Sequence, residues 1–99
     1  MEHLENGFTE RRLNEVVSNK VAGLLADGYK LYVSDNEAPE KYFRYYRFVK
    51  YDLNGYLEDA VAIGIMKKVI SFSEYAYIVH VLDYQDFVVE EELEITEPK

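Results

Sequence analysis

One stretch of this sequence repeats with the period of a helix, and nearly everything after it alternates with the period of a strand. Leu13, Val16, Val17, Val21, Leu24 and Leu25 recur at three- and four-residue spacing, which lays an apolar stripe along a helix from about Thr9 to Asp27. Thr9 suits the N-cap, because its hydroxyl can accept from an exposed backbone N–H. Phe8 and Leu13 then fall where a hydrophobic staple would lie. Glu10 sits in the first turn, where the helix dipole favours a negative charge. Gly28 follows as the stop, since it takes positive φ without a Cβ penalty.

From Tyr29 the period changes. Tyr29, Leu31 and Val33 alternate with polar neighbours as a short strand would. Asp35 to Glu40 is a polar loop broken by Pro39. An aromatic run from Tyr42 to Leu53 follows and ends at Asn54-Gly55, the strongest short-range hairpin signal. A two-residue turn there predicts that Leu53 faces Tyr56, Lys50 faces Asp59 and Tyr45 faces Gly64. The next strand puts Ala60, Ala62 and Gly64 on one face and Val61, Ile63 and Ile65 on the other. A small-residue face lets a helix approach closely, so the N-terminal helix is expected on that side.

Two segments carry competing patterns. Residues 57–70 could form a helix, with Glu58 and Asp59 early and Lys67 and Lys68 late, but Gly64 and the β-branched residues favour a strand. Residues 75–84 follow a capping box at Ser71 and Glu74, yet Tyr75, Tyr77, Val79 and Val81 alternate, and β-branched content again favours a strand. Asp83 to Asp86 reads as a turn into a last strand over Phe87 to Ile95. Residues 1–8 and 96–99 are expected to fray. The sum is a single α+β domain over 1–99: one N-terminal helix packed on an antiparallel sheet of four or five strands. Tyr46, Phe48, Val61 and Ile63 would leave the sheet apolar on the side away from the helix. A partner, a second copy or the folded-back C-terminal segment is therefore expected to cover it.

The chemical inventory is thin. The 99 residues include no cysteine and two histidines, which removes disulfides, thiolate metal sites and a cysteine nucleophile. His3 lies in the terminus, and His80 sits in an apolar run, the usual setting of a core histidine with satisfied nitrogens. No serine stands in a nucleophile elbow. The scattered glycines form neither a dinucleotide fingerprint nor a phosphate loop, and Glu90, Glu91, Glu92 and Glu94 lack the loop of a calcium site. We therefore expect no enzyme, no cofactor and no metal site. No apolar run reaches membrane-spanning length, and the acidic N-terminus does not read as a leader. With no cysteine, the expected setting is cytoplasmic.

Two charged features remain. Lys41 to Tyr51 carries four positive charges and six aromatic rings, the ingredients of a platform for single-stranded nucleic acid built on Tyr42, Arg44, Tyr46 and Arg47. The whole chain is −8, however, and that field opposes phosphate. The C-terminal part is the reverse. Asp83, Asp86, Glu90, Glu91, Glu92, Glu94 and Glu97 crowd into the last seventeen residues, with Glu90, Glu92 and Glu94 on one face of the strand and Val89, Glu91, Leu93 and Ile95 on the other. Such a row can imitate nucleic-acid phosphates to a basic groove, or simply keep an edge strand from aggregating. The surplus of ten tyrosines also suits an interface. The expectation is an acidic protein-interaction domain, such as an inhibitor or adaptor of the kind mobile elements encode. It would act through Asp83, Asp86, Glu90, Glu92 and Glu94 on a basic nucleic-acid-handling protein. Self-association in a structural homo-oligomer and the nucleic-acid platform are the alternatives.

Overall fold

The computed structural model describes residues 2–32, 40–72, 75–83 and 88–96, with backbone alone for 2–8. Helix α1 (Glu2–Ala26) leads into β1 (Lys30–Tyr32), β2 (Arg44–Tyr51), β3 (Leu57–Val69), β4 (Tyr75–Asp83) and β5 (Val88–Ile95). The five strands form one antiparallel sheet in the order β1-β2-β3-β4-β5, so the α+β expectation holds and both ambiguous segments are strands. Residues 84–86 of the expected Asp83–Asp86 turn and the 35–39 part of the first loop, like residues 97–99, fall outside the described residues, and Asp83 itself ends β4.

α1 begins seven residues earlier than its periodicity suggested. Thr9 is therefore not a cap but a fully buried helix residue, and the Phe8–Leu13 staple has no helix end to close. One turn before Leu13, Thr9 shares the stripe that meets the sheet, while Glu2 and Glu5 occupy the dipole-favoured first turns. The C-terminal stop is as read. Gly28 takes φ +95°, Gly28 N–H donates to Leu25 at 3.1 Å and Tyr29 N–H to Leu24 at 3.0 Å, a Schellman closure.

The β2–β3 hairpin departs from its expected turn, yet keeps its expected register. Asp52 N–H donates to the Tyr56 carbonyl and Gly55 N–H to the Asp52 carbonyl, so the loop holds three residues, Leu53-Asn54-Gly55, with Gly55 at φ +85°. The Asp52 carboxylate also accepts from Asn54 N–H and Tyr56 N–H, which stabilises the longer loop. Leu53 consequently stands fully exposed at the tip instead of pairing with Tyr56. Tyr51 pairs with Leu57 but Lys50 with Asp59, leaving Glu58 as an extra residue that takes up the offset. Beyond it, Lys50 faces Asp59 and Tyr45 faces Gly64, as the Asn-Gly signal predicted.

The faces of the sheet are assigned opposite to the small-residue expectation. α1 packs on the aliphatic side, where Leu13 joins Phe48, Ile63, Ile65, Tyr77, Val79 and Ile95 in a buried cluster flanked by Val16, Val17, Val21 and Leu24. Burying each such side chain contributes about 1.5–3 kcal/mol. Leu25 lies at the margin of the stripe and stays half exposed. Lys20, central in the stripe, reaches past it to the Glu91 carboxylate on β5. Ala60, Ala62 and Gly64 face away from the helix, and Tyr42, from the segment that enters β2, lies over Gly64 and packs with Ala62, Tyr45, Leu82 and Met66. Branched side chains fill the wide gap beneath a helix; a small-residue strip instead accepts flat rings.

Candidate functional site

The polar centre of the molecule lies under those rings. Gly64 pairs with His80 across β3 and β4, and His80 with Glu92 across β4 and β5. A Cβ on Gly64 would come 2.6 Å from the Tyr42 ring, so glycine is what lets the ring lie flat on β3. The Tyr42 hydroxyl sits 2.8 Å from His80 Nδ1, and His80 Nε2 sits 2.6 Å from Glu92 Oε1. A carboxylate can only accept, so Nε2 carries a proton; in the neutral imidazole Nδ1 then accepts from Tyr42. Burial, and secondarily the negative charge of Glu92, pushes the Tyr42 phenol above its usual range. Its ring meets His80 edge-on and stacks on Tyr45 at 5.6 Å.

This is a hydroxyl–imidazole–carboxylate line, but its hydroxyl is enclosed. Tyr42 is 5 % exposed and His80 7 %. What the trio does is hold the entry to β2 against the back of the sheet while satisfying both nitrogens of a buried histidine. Among the described residues, no three His, Cys, Asp or Glu side chains are grouped to hold a metal ion, and no helix is long and apolar enough to cross a membrane.

The sequence-derived acidic residues are distributed along the β4–β5 edge. Asp83 is half-buried at the end of β4, between Val61 and Val88. Asp86 lies outside the described residues. Glu92 and Glu94 are exposed, opposite His80 and Ile78. Val81 pairs with Glu91 but Leu82 with Val89, so Glu90 is an extra, exposed residue at a bulge. That bulge breaks the expected alternation: Val89 shares the face of Glu92 and Glu94 rather than that of Glu91, Leu93 and Ile95. β5 is the last strand of the sheet, paired only to β4 among the described residues.

The basic aromatic strand is divided between two faces. Arg44, Tyr46 and Phe48 point to the helix side, and Tyr45 and Arg47 to the back. Tyr42 is buried, as is Arg47, whose guanidinium lies 5.4 Å from the Tyr32 ring. Tyr46 is half-buried against the helix-side cluster, so Arg44 is the member of the four in open solvent, stacked over Phe43. The signal missed in the sequence was the pair formed by Tyr42 and Gly64: a lone glycine inside a strand marks a close approach, here by a ring.

Comparison with protein-family models, curated proteins and solved structures finds no match to this chain.

Proposed function

We propose that this chain is a non-catalytic interaction domain that presents its acidic outer strand to a basic macromolecular partner, in the manner of a small inhibitor or adaptor. The observation that carries the reading is the β5 edge. Glu90, Glu92 and Glu94 are exposed along a strand that pairs only with β4 among the described residues, in a chain of net charge −8. Glu92 is held in place by His80, so part of the row is fixed before any partner arrives, which lowers the ordering cost of binding. A nucleic-acid-handling protein is the class of partner whose groove matches such a row.

The test is capture of partners from a cytosolic extract at low and high salt, with wild type beside E90K/E94K. The reading expects a partner retained at low salt, released by about 1 M salt, and lost with the variant. Retention unchanged by salt and by the variant contradicts it. The single-strand platform is less favoured, because Tyr42 and Arg47 are buried. Titration of labelled single-stranded DNA and RNA into the intact chain should show no binding at tens of micromolar.

A further inference from the structure

β3 and β4 stay paired past the ends of both their neighbours. β2 leaves β3 at Ile65 and β5 leaves β4 at Tyr77, whereas β3 and β4 remain in register to Val69 and Tyr75. Residues 66–69 carry this hairpin roughly 13 Å beyond β2. Residues 67–72 are exposed throughout, with Val69 at 73 % and Phe72 at full exposure. Two lysines thus precede an apolar tip that gains nothing from facing water.

The outer strand carries the complementary pattern. Val88 and Val89 are exposed at its start, and Glu90 and Glu94 follow. Val89 to Glu94 spans roughly 17 Å, and Lys68 to Phe72 reaches at most roughly 14 Å, a difference that an extended lysine side chain covers. Direct β5–β5 pairing of two copies would oppose two rows of glutamates, which is unfavourable. Each copy, however, has both an arm and an edge, so two exchanged arms close a two-fold assembly with no unmatched surface.

We propose that the β3–β4 arm of one copy docks on β5 of a second copy. Phe72 and Val69 rest against Val88 and Val89, while Lys67 and Lys68 meet Glu90 and Glu94. The inference rests on β5 being a recognition surface, and names a second copy of this chain as its occupant.

Sedimentation of the intact protein from micromolar to near-millimolar concentration, combined with a charge swap, tests this. Wild type should dimerise. K67E/K68E and E90K/E94K should each weaken the dimer by about tenfold or more, and an equimolar mixture of the two should restore it, because both contacts regain opposite charges. F72S should weaken it without being rescued by either. A wild type that remains monomeric overturns the proposal while leaving the acidic strand open to a foreign partner, as does a monomer that instead binds anionic vesicles through Phe72. A dimer lost with K67E/K68E but indifferent to E90K/E94K overturns the proposal and counts against β5 as a recognition surface as well.

Discussion

The two faces of the sheet are closed by different physics. On one, a 25-residue helix lays aliphatic side chains over Phe48, Ile63, Ile65 and Val79. On the other, one tyrosine ring lies on a bare glycine and is tied by its hydroxyl to a buried histidine. The first contact tolerates changes of shape and depends on volume. The second has little volume and depends on a fit and on a chain of hydrogen bonds. A sheet with one helix need not leave its second face to a partner, because a loop with the right ring can close it.

The largest break in that comparison should come from Phe48→Ala, which empties the helix-side cluster. Urea unfolding is expected to show a loss of about 3–5 kcal/mol. Gly64→Ala should cost about 1–3 kcal/mol, through overpacking against Tyr42. In the double variant with Tyr42→Ala the two losses should fall short of additive, since the clash has gone; strict additivity would place the ring elsewhere. Tyr42→Phe keeps the ring and removes the hydroxyl, leaving His80 Nδ1 without its donor. About 1–2 kcal/mol is expected, with a shift in the His80 imidazole resonances. Should Tyr42→Phe cost as much as Phe48→Ala, the distinction between the faces fails.

The gentlest probe is alkali. Hydrogen bonding to Asp59 raises the Tyr29 phenol to about 12, and burial raises Tyr77 to about 12. Both pack on the helix side, Tyr29 at the margin of the cluster and Tyr77 within it. Because their folded values lie above the unfolded value near 10, the folded chain holds protons that the unfolded chain releases. Their contribution is complete below pH 10 and is lost as the pH rises through 12. The thermal midpoint should therefore fall across that window, and Tyr29→Phe should flatten the fall.

Much of this fold was legible because period is a local property. Val16 to Leu24 announces a helix without reference to anything distant. Tyr75 to Val81 alternates against a competing helical capping signal until its β-branched content tips it. Asn54-Gly55 sets a register that holds over seven residues of β2, Arg44 to Lys50. The helix start was not legible, because Thr9 looks the same as a cap and as a buried stripe residue until the turns before it are placed. The choice of face was not legible either. Ala60, Ala62 and Gly64 say that something comes close, but not whether a helix or a ring. The acidic row was readable as composition, yet the bulge at Glu90, which moves Val89 to the other face, depends on pairing with β4. His80 could be read as a core histidine; its partners lie 38 and 12 residues away and could not.

The β2–β3 hairpin holds two single-residue offsets that cancel, one in the loop and one at Glu58. Its tip is consequently decoupled from the rest of the sheet. Deleting Glu58 would remove the bulge and leave Tyr51 opposite Leu57 and Lys50 opposite Asp59, so every inward side chain of β3 would stay inward. A lineage could therefore add or remove a residue at the end of this hairpin without disturbing the pairing behind it.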